Sequence, residues 1–211
     1  MVGSYPYLKR LLDLVLSFSS LLVLSPFLAF ISLLIRLESP GSPFFLQERI
    51  GKGMVPFRLV KFRTMTARAG ALRGMFTPGD RSRVTRLGRV LRKTKIDELP
   101  ELFNVLKGDM AIVGPRPEVA KYVSAYPGDF ELIFELRPGL SDSASIKYRN
   151  EEAILAGQKD PEDYYLRVIL PEKLRLARSY VENVSFRTDM GVVKETLKTL
   201  LGLNSTSVKE T

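Results

Sequence analysis

The chain has 211 residues and a formal charge of +9, and it contains neither cysteine nor histidine. Without cysteine there are no disulfides, thiolate nucleophiles or cysteine-held metals; without histidine there are no Ser-His triads, no His-ligated zinc and no imidazole base. Catalysis is left to carboxylates, Lys, Arg, Tyr and hydroxyls, and any metal to a hard ion held by oxygen, with Mg²⁺ the expectation.

The first predicted element is the apolar run Leu14 to Ile35, 22 residues without a charge, flanked by Lys9, Arg10 and Asp13 on one side and Arg36 and Glu38 on the other. As a straight helix it would be about 33 Å long, enough to cross a hydrocarbon core of about 30 Å. Ser25-Pro26 lies near its middle. Pro26 offers no N–H to the carbonyl of Leu22 and its ring crowds that turn, so a bend or break is expected there. Each half would then reach only about 17 Å, within one leaflet. Basic residues on both flanks favour the cytoplasmic side for both ends. Residues 1–38 therefore read as a re-entrant helix-break-helix, bent at Ser25 and Pro26, and residues 39–211 as a cytoplasmic catalytic domain with interfacial amphipathic helices. The alternative is a kinked spanning helix in which Ser25 satisfies the freed carbonyl. The run is too long for a signal peptide and lacks a small-residue cleavage site.

Charge is concentrated rather than spread. From Arg49 to Lys95 there are fourteen Lys and Arg against Asp80 alone, and the remainder of the chain is net acidic. Such a block attracts polyanions. Lying just after a membrane segment, it favours lipid head groups and phosphorylated substrates over nucleic acid. A non-enzymatic membrane-tethered module that binds anionic lipid or nucleic acid through this block is the competing reading.

Residues 41–65 predict a β-hairpin turning at Gly51 to Gly53, with Phe57, Leu59, Lys61 and Arg63 on one face of its second strand. Lys61 and Arg63 are candidate phosphate contacts or plain strand-end charges. Residues 66–82 predict a short helix and a loop. Val84 to Thr94 predicts a basic amphipathic helix carrying Arg86, Arg89, Arg92 and Lys93. In IDELPELFNVLKGDM, Asp97 stands at an expected N-cap, Pro100 in the first turn, and Gly108 closes the helix.

Asp97 and Glu98 have two readings: one caps while the other complements the helix dipole, or Asp97 is held ionised as a nucleophile toward phosphorus or a metal ligand. Next come a short strand, Met110 to Val113, and Gly114-Pro115-Arg116-Pro117, whose prolines pre-orient the Arg116 guanidinium for phosphate oxygens. Residues 118–136 predict a helix, and Lys147, Arg149 and Asn150 are expected on an extended segment. Pro171 to Asn183 predicts another helix. Val192 to Leu203 predicts an amphipathic one, suited equally to the core or to the membrane interface.

Taken together, KRLLD at Lys9 to Asp13, the Ser25-Pro26 break, QERIGKGMVPFRLVKFRTM, LRKTKIDELPELFNVLKGDMAIVGPRP, the RPG at Arg137, YRN at Tyr148 to Asn150 and YVENVSF resemble the monotopic phosphoglycosyl transferases of bacteria, in their small catalytic-core form. The resemblance implies an α/β domain, mostly helical with a small sheet, on the cytoplasmic face of the bacterial inner membrane. It implies Mg²⁺, a UDP-sugar donor and polyprenol (undecaprenyl) phosphate as acceptor, with membrane lipids as partners, no nucleic acid, and a homodimer left open. By this resemblance Asp97 attacks the β-phosphate to form a phosphosugar-aspartate and UMP, and also serves the metal. Glu98 is its acid/base or metal-supporting partner. Lys61, Arg63, Arg92, Arg116 and Arg149 contact phosphate or nucleotide, with Asn150 supporting Arg149.

Overall fold

The computed structural model describes residues 5–66 and 83–203. It opens with one helix, α1 (Tyr5–Glu38), of 34 residues and about 51 Å in length. The helix passes through Pro26 uninterrupted, where two helices separated by a break were expected. Ser25 Oγ donates to Leu22 O at 2.8 Å, the carbonyl that the proline leaves without its amide partner. With that carbonyl satisfied, helical geometry is kept. Asp13, Ser17, Leu21, Leu28, Ile31 and Ile35 are buried, a helical spacing that puts one stripe against the rest of the chain on both sides of the proline. The opposite stripe leaves Leu11, Phe18, Leu22, Val23, Phe30 and Leu37 exposed. Both ends are tied to the body: Tyr5 and Lys9 bond Asp189, and Glu38 accepts the Leu87 amide at 3.0 Å.

The expected hairpin is present as β1 (Phe44–Ile50) and β2 (Pro56–Phe62), antiparallel with Phe45 opposite Lys61 and Gln47 opposite Leu59. The helix expected over residues 84–94 is α2 (Arg86–Thr94), capped by Thr85, whose side chain accepts the Gly88 amide. The short helix and loop expected between residues 66 and 82 lie outside the described residues. Next come α3 (Glu101–Lys107) and β3 (Ala111–Val113). Gly108 ends α3 at φ 98°, a left-handed conformation that favours glycine. Its last carbonyls are collected by Arg10, which donates to Val105 O and Leu106 O, and Arg137, which donates to Gly108 O.

The helix expected over residues 118–136 is two, α4 (Ala120–Val123) and α5 (Pro127–Ile133). Pro127 disfavours helical geometry in the residue before it, and Tyr126 sits at φ −138°. A strand, β4 (Gly139–Ser141), pairs in parallel with β3. A Cβ on Gly139 would lie 2.1 Å from Gly114 N, so only glycine lets this strand pass beside the loop that carries Arg116.

The segment expected to be extended at Lys147 to Asn150 is instead the last residue of α6 (Ser143–Lys147) and a three-residue turn leading into α7 (Glu151–Ala156). Asp142 Oδ1 accepts the Ser145 amide at 2.8 Å, a cap that decides for helix. The chain ends in α8 (Pro161–Tyr164), a π turn at Tyr165–Ile169, α9 (Leu170–Glu182) and α10 (Phe186–Leu200). α10 begins six residues before the expected start because Ser185 caps it at Thr188 N. Its Val192 packs in the core with Val113 and Tyr180, while Phe186, Met190, Leu197 and Leu200 are exposed.

Among the described residues the larger apolar clusters are two, and the first includes Ile96 and Leu99 of the turn between α2 and α3. It joins α1 to α2, α3 and Phe62; the other centres on Phe130, Ile133, Phe134, Ile169 and Leu170.

Candidate active site

Lys95 closes α2 at φ 60°, and Ile96–Glu98 forms a single 3₁₀ turn leading into α3. Asp97 does not cap α3, contrary to expectation. The amides within its reach are those of Leu99 and residue 100: the first is spent on Ile96 O at 3.2 Å, and Pro100 has none. The Asp97 carboxyl is therefore left for other work. It is 8 % exposed, and its Oδ1 accepts no hydrogen bond. Burial pushes this carboxyl above its usual 3.8, against the pull of Lys61, Lys95 and Arg92.

Its neighbour has the opposite environment. Glu98 Oε1 lies 2.8 Å from Lys61 Nζ and 2.5 Å from Arg116 Nη2. Burial opposes the charge of Glu98, but Arg116, Lys61 and Lys95 outweigh it and hold the carboxyl well below the usual carboxylate range. Lys61 is fixed from β2, because the Asn104 side chain of α3 accepts from Val60 N at 3.0 Å and donates to Arg58 O at 2.7 Å. Arg116 comes from the Gly-Pro-Arg-Pro loop beside β3.

Of the residues expected in the site, the structure thus brings together Asp97, Glu98, Lys61 and Arg116. Arg92 acts on Asp97 by charge, with its own donors on Thr64 Oγ1 at 2.9 Å and Glu152 Oε1 at 2.8 Å. Arg63 is engaged elsewhere: it donates to Pro40 O and Ser39 O at 2.8 and 2.7 Å, closing the C-terminus of α1. Asn150 heads α7 and Arg149 is half-buried beside it; among the described residues neither is bonded to Asp97 or Glu98.

One carboxylate escaped the reading of the sequence. Glu101, first in α3, is 0 % exposed and 3.2 Å from Lys61. Its spacing of three from Glu98 and four from Asp97, one helical turn, was the available signal. Beside this cluster an apolar groove of about 180 Å³ is lined by Leu21, Ser25 and Leu28 of α1 with Phe44, Pro100 and Phe103. The basic block is not one open surface, since Arg49, Lys61, Arg63 and Arg92 are all engaged within the fold.

A family model described as bacterial sugar transferase matches residues 4–202. The chain belongs to the bacterial sugar transferase family. It is 36% identical over 203 residues to the UDP-N-acetylgalactosamine-undecaprenyl-phosphate N-acetylgalactosaminephosphotransferase of Aeromonas hydrophila, covering 93% of this chain but 44% of that protein. It is 36% identical over 197 residues to the UDP-glucose:undecaprenyl-phosphate glucose-1-phosphate transferase of Caulobacter vibrioides, covering 92% of this chain and 69% of that one. A third relative, the exopolysaccharide production protein PSS of Rhizobium leguminosarum bv. phaseoli, is 36% identical with 88% and 91% covered.

In this bacterial sugar transferase no group of three or more carboxylates among the described residues converges to hold a metal alone. The residues present fit Mg²⁺ in one form: the Asp97 carboxyl, with no hydrogen bond on Oδ1, would supply one oxygen, and water and phosphate oxygens would supply the others, as is usual for that ion.

Proposed function

We propose that the chain transfers a sugar phosphate from a UDP-sugar to polyprenol phosphate at a membrane surface, through a covalent phosphosugar on Asp97. The observation that carries this reading is the buried Asp97 oxygen without a hydrogen bond, set among cations. Asp97 attacks the β-phosphorus of the donor, the bond from that phosphorus to the bridging oxygen breaks, and UMP leaves. An oxygen of the lipid phosphate then attacks the same phosphorus and releases Asp97. Such a double displacement needs no histidine. Lys61, Arg92 and Arg116 offset the charge of the phosphates. Glu98, held ionised, fixes Lys61 and Arg116 rather than donating a proton. Mg²⁺ bound through Asp97 and the diphosphate would neutralise part of the charge on the transferring group.

The membrane part of this reading is supported by α1. A helix whose two ends are bound to one body does not cross a bilayer, so its exposed apolar stripe enters a single leaflet, on the cytoplasmic side in this reading. The groove lies between α1, at Leu21, Ser25 and Leu28, and Pro100, two residues beyond the Asp97-Glu98 pair. Its volume exceeds the roughly 150 Å³ that accommodates benzene in an apolar protein cavity, enough for the first part of an isoprenoid chain.

The purified chain, reconstituted in nanodiscs with Mg²⁺ and a panel of UDP-sugars, should release UMP and gain one phosphosugar mass on the peptide containing Asp97. Full turnover by Asp97→Asn would rule the covalent route out.

A further inference from the structure

We propose that Glu101 is a positioning residue which, together with Glu98, holds the Lys61 ammonium off Asp97 and so keeps the attacking oxygen unpaired. The inference rests on the transferase reading above. Lys61 Nζ sits between two carboxylates, 2.8 Å from Glu98 and 3.2 Å from Glu101, while Asp97 Oδ1 accepts no hydrogen bond at all. Lys61 is nonetheless the cation that acts most strongly on Asp97, so the two groups are near without pairing. A carboxylate paired directly with an ammonium is a blunted nucleophile, because its charge must be freed before it can attack.

Glu101 is poorly explained as a structural residue. It is 0 % exposed, its Oε2 accepts no hydrogen bond, and its Oε1 has only the Lys61 ammonium, 3.2 Å away. A carboxylate in that condition costs stability, whereas a first-turn glutamate serving the helix dipole could do so from the surface. What it does have is Lys61. The lysine stem is fixed through Asn104 and the β2 backbone, leaving the ammonium as the part free to swing. Glu98 is already shared with Arg116. With Glu101 neutral, the remaining anion for the lysine to turn to is Asp97.

The test uses the full chain in nanodiscs with Mg²⁺ and either UDP-glucose or UDP-N-acetylgalactosamine, following phosphosugar formation on Asp97 by rapid quench. Glu101→Gln should lower kcat about tenfold, the equivalent of weakening one charge contact in the transition state, with donor KM held within about twofold. Glu101→Asp, which keeps the charge, should recover most of the rate. On a Lys61→Gln background, Glu101→Gln should have no further effect. Wild-type kcat in Glu101→Gln, or an undiminished loss on the Lys61→Gln background, would overturn the proposal. Should Glu101→Gln not fold, the Lys61→Gln and double variants still decide it through the same comparison. If the wild-type chain releases no UMP with either donor, the transferase reading fails by itself. The position of Lys61 in a crystal structure of Glu101→Gln then decides: pairing with Asp97 supports the role, and an unmoved lysine refutes it.

Discussion

Two sets of buried carboxylates in this molecule are treated in opposite ways. Where α1 meets α10, Asp189 accepts from Tyr5, Lys9 and Tyr180, and nearby Asp13 accepts the Ile112 amide at 3.1 Å. At the turn between α2 and α3, Asp97 Oδ1 and Glu101 Oε2 accept no hydrogen bond, and Glu101 Oε1 has only the Lys61 ammonium, 3.2 Å away. A saturated buried carboxylate holds elements together; a bare one costs stability and is retained where chemistry uses it. The first set is a joint, and the second is the candidate site.

The sharpest way to break this comparison is Asp97→Asn. If Asp97 is the nucleophile, turnover should fall by a factor on the order of 10⁴ or more, measured as UMP release, without loss of stability. The sign for stability follows from its raised carboxyl: the proton is bound more tightly in the folded chain, so stability declines as pH rises from the usual 3.8 through the raised value. Asp97→Asn removes that decline. Denaturation at neutral pH should show the variant at least as stable as wild type, with the advantage vanishing below about pH 4.

The joint should respond in the reverse sense. Asp189→Asn strands Lys9 in a site where its side chain is 16% exposed and should cost about 3 kcal/mol in chemical denaturation. The covalent phosphosugar on Asp97 should still form at temperatures where the variant is folded. A milder probe is the groove. Ala29→Trp, at a residue lining it, should raise KM for polyprenol phosphate about tenfold while leaving phosphosugar formation on Asp97 unchanged. An equal loss in both half-reactions would assign the groove to the fold rather than to the acceptor. Smallest of all, Ser25→Ala removes the bond to Leu22 O and should lower stability by only about 0.5–1 kcal/mol, detectable as a small shift in thermal melting.

Much of the site was legible in the sequence because the relevant residues stand close together or beside rigid punctuation. Asp97 and Glu98 are adjacent, and Arg116 lies between two prolines. Lys61 was legible as a strand-end cation but not as a partner of Glu98, a contact across 37 positions. Arg63, on the same strand face as Lys61, looked equivalent by period alone. The two part company because Arg63 passes the end of the strand and meets the carbonyls that close α1. Pro26 was read as a break because sequence shows the missing amide; that Ser25 would satisfy the carbonyl it left was open until the side-chain direction was known. Glu101 was passed over despite its spacing for a related reason, since a glutamate in a first helical turn looks solvent-facing until the hairpin is packed over it.

By itself the sequence determined the chemistry available to this bacterial sugar transferase: no thiol, no imidazole, carboxylates and cations in one tract, and a long apolar helix ahead of them. Tertiary structure alone decided which carboxylate is saturated and which is left bare, and that α1 is bound to the body at both ends. Burial and hydrogen-bond completion are properties of what comes to lie around a group, and here those neighbours come from β2, the Arg116 loop and α10, far along the chain from Asp97 and α1.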